Sequence, residues 1–341
     1  MAATRRPTLA DVAREVGVSA KTVSRVLNED GPSSAQTRER VLAAVAKLGF
    51  QPNLMARNIR VGGPDTTVGL VVPDLGNPFF GTVAGSIEDV VRSRGLTLLM
   101  GSSAEDPERE RVLTQTFLAR RVSMLMVVPA FGADHSYLKA SRAAGLPILF
   151  LDRPGVGLSA DCVVSSNRTG VQEGVSHLIA HGHQRIGFIG DLPPKLYTRR
   201  ERLAGYRSAL AAADLPYDRT LVTGAHGQET AAAATTALLR LPDPPTALFA
   251  ANNIVALGVV AQLARSARKD VALVAFDDLP LAEVLEPALT VVAQDPAAIG
   301  EAAARTALAR LDGDRSRART LTVPTHLVVR GSSGPPRATA G

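Results

Sequence analysis

The stretch TLADVAREVGVSAKTVSRVLN, residues 8–28, decides how this chain is read. Leu9, Val12, Ala13 and Val16 recur at i, i+3, i+4 and i+7, which is one buried face of a helix, and Val23, Val26 and Leu27 mark a second. Thr8 can cap the first helix together with Asp11, Gly17 stands where the chain must leave it, and Ser19 can cap the second. This spacing predicts a helix-turn-helix, a unit whose second helix enters the major groove of DNA by its N-terminal residues. A third helix is expected from Ala35 to Leu48, capped by Ser34, ended by Gly49, and facing the first two with Val41, Leu42, Val45 and Leu48. The segment PNLMARNIRVGG, 52–63, can form one or two helical turns before Gly62, Gly63 and Pro64 break it. A helix this short is marginal in water, so its order depends on a partner surface.

Charge follows the same division. The chain has 341 residues and a formal net charge of +6, and residues 1–62 hold ten Lys/Arg against five Asp/Glu, so most of the excess lies in the first sixth of the chain. A basic head on a near-neutral body suits a polyanionic partner, because phosphate neutralisation supplies much of DNA affinity. Cys162 is the single cysteine, which excludes an intrachain disulfide and fits a reducing compartment. No early apolar run resembles a signal peptide and no run of about 18 apolar residues could cross a bilayer, so the expectation is a cytoplasmic protein with no membrane partner.

From Thr67 onward short β-rich runs alternate with Ala-rich helical stretches. The first series is VGLVVPDL, LTLLMGSS, MLMVVPA and PILFLDR; the second is RIGFIGD, TLVTG, TALFAAN and VALVAFDD. Alternation of this kind predicts parallel sheets covered by helices, and two series predict two α/β lobes joined near Val163–Asn167. The late run LTVPTHLVVRG supplies strand material that can return between the lobes.

Taken in order, the head, the hinge-like PNLMARNIR, VGLVVPDLGNPFF, HLIAHGHQRIGFIGD, RLAGYRSAL, TALFAANNIVALG, VAFDDLP and VVRGSSG resemble transcriptional regulators of the lactose-repressor (LacI/GalR) family from about Thr8 to Gly334. The resemblance implies an all-α helix-turn-helix head, residues 1–51, and a hinge helix and linker, 52–63. An α/β body of two periplasmic-binding-protein-like lobes follows over 66–332. Lobe 1 is expected at about 66–163 plus 293–321, lobe 2 at about 164–292 plus 322–332, and a disordered tail at 333–341.

The same resemblance places Ala20, Lys21 and Arg25 at base-reading positions. Of these Arg25 has the strongest chemistry, since its guanidinium matches guanine O6 and N7 in a fork. Thr22, Ser24 and Asn28, with Thr8 and Ser19, would contact phosphates and set register. In the hinge, Asn53, Ala56 and Arg57 fall on the DNA side, and Ile59 stands where the family inserts Leu between base pairs. The stiff β-branched Ile59 presents a different wedge; alternatively Met55 and Ile59, at i and i+4, pack against a partner hinge.

In the body the resemblance implies effector-binding positions at Asn77, Phe79, Phe80, Asp152, Arg202, Asn252 and Asp277, several just past strand ends where open α/β sheets bind ligands. Arg, Asp and Asn together suit hydroxyl-rich ligands. For Phe79 and Phe80 core packing competes with a platform role. The chain departs from the family pattern at Ser166, Asn253, Ala231 and Ala232, which predicts a cleft short of acidic and aromatic contacts; with no Trp, a tryptophan platform for a sugar ring is excluded.

Other classes fit less well. His177, His181 and His183 invite a metal reading, but H-E-x-x-H is absent and the segment matches the family's helix-to-strand crossover. Adjacent Asp277 and Asp278 point to opposite faces of a strand end and make a poor acid/base pair. The expectation is therefore no enzyme, no cofactor and no metal. A solute-binding protein would leave the basic head without a role, whereas a protein corepressor in place of a small effector stays open. The reading is a homodimeric repressor on a palindromic double-stranded DNA operator, controlled by a small effector, a sugar or related metabolite. Whether that effector releases or recruits the protein is left open.

Overall fold

The computed structural model describes residues 7–28, 32–51 and 66–336. The chain divides into two units, Met1–Asp65 and Thr66–Gly341. In the first, α1 (Leu9–Val16), α2 (Ala20–Asn28) and α3 (Ala35–Leu48) enclose a small core of Val12, Ala13, Val16, Val23, Val26, Val41 and Ala44. The backbone N–H and hydroxyl of Thr8 both donate to the Asp11 carboxylate (2.8 and 2.6 Å), which holds the start of α1. Gly17 takes φ 71°, a left-handed turn open to glycine, and frees the chain to begin α2, where Ser19 Oγ accepts from Thr22 N (3.0 Å). Ser34 caps α3 through Thr37 N, and Arg40 ties α3 to α1 by donating to the last-turn carbonyl of Val16 (2.6 Å). One expectation is corrected here. Leu42 is 51% exposed, because Val41, Ala44, Val45 and Leu48 fill the inner face of α3 and Leu42 lies about 100° around from Val41.

The second unit contains two six-stranded sheets. The first runs β11 (Thr320–Val323), β5 (Asp161–Ser165), β4 (Ile148–Leu151), β3 (Met124–Val127), β1 (Thr67–Val72), β2 (Thr97–Ser102), all parallel. The second runs β12 (His326–Val328), β10 (Thr290–Ala293), β9 (Ala272–Phe276), β8 (Ala247–Ala250), β6 (Ile186–Gly190), β7 (Val222–Gly224), parallel except that β12 pairs antiparallel to β10. Nearly every residue of β1, β3, β4, β6, β8 and β9 is buried, as expected for parallel strands covered on both faces.

Helices α4 (Pro78–Arg92) and α11 (Pro296–Leu311) pack together on the first sheet around Val83, Ile87, Ile299 and Ala303. On the second sheet α7 (Asn167–Ala180) and α8 (Tyr197–Ala212) cover one face, and α9 (Gln228–Leu239) and α10 (Asn253–Arg265) the other. The chain crosses between the sheets three times: after Ser165, after Ala293, and between Val323 and His326. Two of these crossings follow β5 and β10, strands that the alternation pattern did not single out.

The end of the chain also differs from expectation. Ser332 and Ser333 are buried; Ser332 Oγ donates to Leu273 O (2.6 Å) and Ser333 Oγ lies 2.7 Å from His177 Nε2. His183 Nε2 reaches Gly334 O (2.9 Å), so two of the three histidines anchor residues 333 and 334 that sequence had assigned to a frayed tail. Residues 337–341 lie outside the described residues.

Candidate functional site

Two places in the molecule carry the residues singled out by sequence. The first is the exposed side of α2. Ala20 and Lys21 are exposed at its N-terminus and Arg25 is half-exposed one turn on, while Val23 and Val26 point into the core. A helix with 3.6 residues per turn separates these faces without further instruction. Ser19 Oγ and Thr22 Oγ1 sit 2.8 Å apart at the helix start, and Ser24 is half-buried. Nothing is described of the Asn28 side chain, and Asn53, Ala56, Arg57 and Ile59 lie outside the described residues.

The second is a cleft of about 380 Å³ between the two sheets of the body, within the size range of small-molecule sites. Asn77, Phe79, Phe80, Asp152, Arg202, Asn252 and Asp277 all line it. Asn77 ends the loop after β1 and caps α4, its Oδ1 accepting from Phe79 N (3.0 Å). Phe79 and Phe80 meet edge to face with centroids 5.1 Å apart; Phe80 is buried in the core beneath, and Phe79 is half-buried at the wall. Asp152 follows β4 and Asp277 follows β9, both left-handed at φ 63° and 75°, with their N–H groups bonded to Val163 O and Val292 O of the neighbouring strands. That backbone turn brings each carboxylate to the C-terminal edge of its sheet. Asn252 is foremost a helix cap, its Oδ1 accepting from Val255 N (2.7 Å) at the start of α10.

Arg202 is the most constrained residue of the site. Its guanidinium lies 3.8 Å above the Phe276 ring, Nε donates to Asn167 Oδ1 (2.7 Å) and Nη1 to Ala251 O (2.6 Å). Burial lowers its pKa, opposed by the nearby Asp277 and Asp152 carboxylates. Asp277 is pushed upward by burial, against the pull of Arg202 and hydrogen bonds from the Gln294 amide and Asn253 N. The adjacent Asp278 faces away and pairs with Arg330 (2.8 Å).

Several cleft residues were missed in the sequence. Arg153 forms a bidentate pair with Glu105 (3.1 and 2.8 Å) and also contacts Asp152 (3.4 Å). Its position beside Asp152 in LDR was the only signal available. Asp191 and His226, both in the cleft lining and both following strands of the second sheet, pair at 3.1 Å. Asn253 reaches the opposite lobe: its Nδ2 donates to Asn77 Oδ1 (2.7 Å) and its Oδ1 accepts from Asn77 Nδ2 (3.3 Å). Gln294, in the second crossing, bonds both Ser165 Oγ of the first crossing and Asp277 of the cleft. Ser166 joins the first and third crossings through Thr325 Oγ1 (2.9 Å) and Thr325 N (2.8 Å). The departures therefore do different work from that expected. Ser166 is a hinge tie, Asn253 an interlobe clasp, and Ala231 and Ala232 are core. The cleft is not short of acids, since Asp74, Glu105, Asp152, Asp191 and Asp277 line it.

A three-helix DNA-binding head followed by two parallel sheets that share a ligand-sized cleft defines a ligand-responsive transcriptional regulator. Residues 8–53 match the family of bacterial regulatory proteins, lacI family, and residues 175–333 match the periplasmic binding protein-like domain. The HTH-type transcriptional regulator DegA of Bacillus subtilis (strain 168) is 31% identical over 97% of this chain and 99% of its own. Among solved structures, the lac repressor dimer bound to operator and the anti-inducer ONPF matches 97% of this chain and 100% of its own with a TM-score of 0.81 at 28% identity. The transcriptional regulator CelR–cellobiose complex matches 96% and 100% with a TM-score of 0.71 at 32% identity. The chain belongs to the LacI family of DNA-binding transcriptional regulators, which are not enzymes.

Proposed function

We propose that this regulator is a repressor that binds a near-palindromic operator as a homodimer and is controlled by a small hydroxyl-rich ligand, a sugar or related metabolite, held in the cleft. It works in the cytoplasm, where its DNA lies. Lys21, Arg25 and Ala20 read base edges, with Arg25 supplying a bidentate fork to guanine. Thr8, Ser19, Thr22, Ser24 and Asn28 hold phosphates and fix register. Asn53, Ala56, Arg57 and Ile59 enter the minor groove between half-sites, and two-fold symmetry in the protein demands it in the site.

The observation that carries the effector reading is that all seven positions named from sequence line one cleft, with Arg202 and Asp277 both buried in its wall. Support also comes from the relatives: the CelR structure holds cellobiose and the lac repressor structure is a dimer on its operator. Control follows from the wiring of the hinge. A ligand that engages Asp277 acts on the Gln294 amide, and Gln294 is bonded to Ser165 of another crossing, so the angle between lobes depends on cleft occupancy.

Selection of bound duplexes from random DNA, followed by a carbohydrate panel scored for change in that binding, tests the proposal. An inverted-repeat site whose occupancy responds to at least one sugar is expected. Enrichment of no sequence, or a site indifferent to every compound, contradicts it.

A further inference from the structure

The cleft is a poor place for an anion. Its guanidinium donors are already committed: Arg153 directs both terminal nitrogens at Glu105 and Nε at Asp152, and Arg202 directs Nε and Nη1 at Asn167 and Ala251. Of the helix N-termini that border it, those of α4 and α10 are capped by Asn77 and Asn252; those of α8 and α9 have no side-chain cap, but at α9 the residue before Gly227, His226, holds the Asp191 carboxylate there. His226 is turned to Asp191. A further guanidinium, Arg199, has Nε and Nη1 without hydrogen-bond partners, yet both are buried, Nε against Gly190, and the side chain is off the cleft lining.

What remains open is the reverse chemistry. Five carboxylates line the space against two arginines, so carboxylates outnumber guanidiniums in the lining. Arg202 Nη2 is the one terminal nitrogen of that side chain with no partner among the described residues, and Arg202 and the Asp277 carboxylate both line the cleft, acting on each other electrostatically without being joined in an ion pair. A hydroxyl group, which donates and accepts at once, matches that pair, whereas a phosphate or carboxylate brings only acceptors and a second negative charge.

We propose that the cleft selects an uncharged, donor-rich polyol and turns away the same compound carrying a phosphate or carboxylate. This rests on the effector reading above and narrows its ligand class. Glu105 acts as the specificity-determining residue, because it keeps Arg153 from serving an oxyanion.

The test measures binding of glucose, ribose and cellobiose beside glucose 6-phosphate, ribose 5-phosphate and cellobionic acid to the full chain by calorimetry. At least one uncharged member is expected to bind about tenfold or more tightly than its charged counterpart, and Glu105→Gln is expected to close most of that gap by freeing Arg153. A charged member that binds as well as its neutral counterpart overturns the inference while leaving the effector reading standing. If no member of any pair binds, the effector reading falls and this inference with it. Should Glu105→Gln fail to fold, the wild-type pairs alone decide.

Discussion

Arg25 in the head and Arg202 in the body carry the same guanidinium into opposite circumstances. Arg25 is half-exposed on a helix whose other face is the core, and no salt bridge engages it among the described residues. Arg202 is buried, stacked on Phe276 and tied to Asn167 and Ala251, and elsewhere in the body Arg153 and Arg310 are committed to carboxylates. An arginine that waits for DNA must stay uncommitted, because its partner arrives with its own charge and ordering cost. An arginine that shapes a cleft must be fixed beforehand, because a preorganised site spends no binding free energy on arranging itself.

The contrast can be broken at several points. The largest effect is expected where a buried pair is cut without touching the cleft. Arg310 donates to both oxygens of the nearly buried Asp161 (2.7 and 2.9 Å), stapling α11 to β5, and Arg310→Ala should cost about 3 to 5 kcal/mol in urea unfolding. The Asp161 carboxyl is raised by burial but lowered more by its bonds from Arg310 and Arg319 N, and the net shift is downward. Its pair therefore stabilises the fold at neutral pH and loses that effect as pH falls through the depressed value, so wild type and Arg310→Ala should converge below about pH 4.

Next comes Arg202→Ala, expected to remove about 2 to 4 kcal/mol of ligand affinity, measured by calorimetry, with operator affinity unchanged. In the head Arg25→Ala should cost about 1 to 3 kcal/mol of specific binding and relax discrimination at one base pair per half-site, while leaving urea stability unaltered. A large loss of stability there would mean that Arg25 is a structural residue like Arg202 and would erase the contrast. Asn77→Ala should remove both the interlobe amide pair and the α4 cap, at about 1 to 2 kcal/mol in all, and raise hydrogen exchange at Phe79, whose amide Asn77 caps. The smallest disturbance is chemical: burial pushes the Cys162 thiol up to about 12, so a thiol reagent at pH 8 should leave the native body unmodified and react only in denaturant.

The same contrast explains what the sequence made legible. The head is local: Thr8, Gly17, Ser19, Ser34 and Gly49 punctuate helices whose apolar faces recur with the helical period, and only Leu42 was placed on the wrong side, one residue from Val41. In the body, strand-end residues such as Asp152 and Asp277 could be read because the C-terminal edge of a parallel sheet is where the chain turns outward. Their partners could not. Glu105 meets Arg153 from 48 residues away, and Asn77 meets Asn253 from 176, so partner choice depends on how the crossings fold back. Strands β5 and β10 escaped for a related reason. Each is the last piece of one lobe before the chain crosses to the other, so neither sits inside a full strand-helix repeat.

The central claim is that the head reads DNA and the cleft instructs it, through separate residues. It is tested most directly by titrating operator affinity with a cleft ligand identified from the sugar panel, in wild type, Arg25→Ala and Arg202→Ala side by side. The account predicts that Arg25→Ala loses sequence preference yet still binds ligand, and that Arg202→Ala holds the operator at wild-type affinity yet ignores the ligand. If Arg202→Ala still responds to ligand, or if Arg25→Ala selects its site as sharply as wild type, the division of labour described here is wrong.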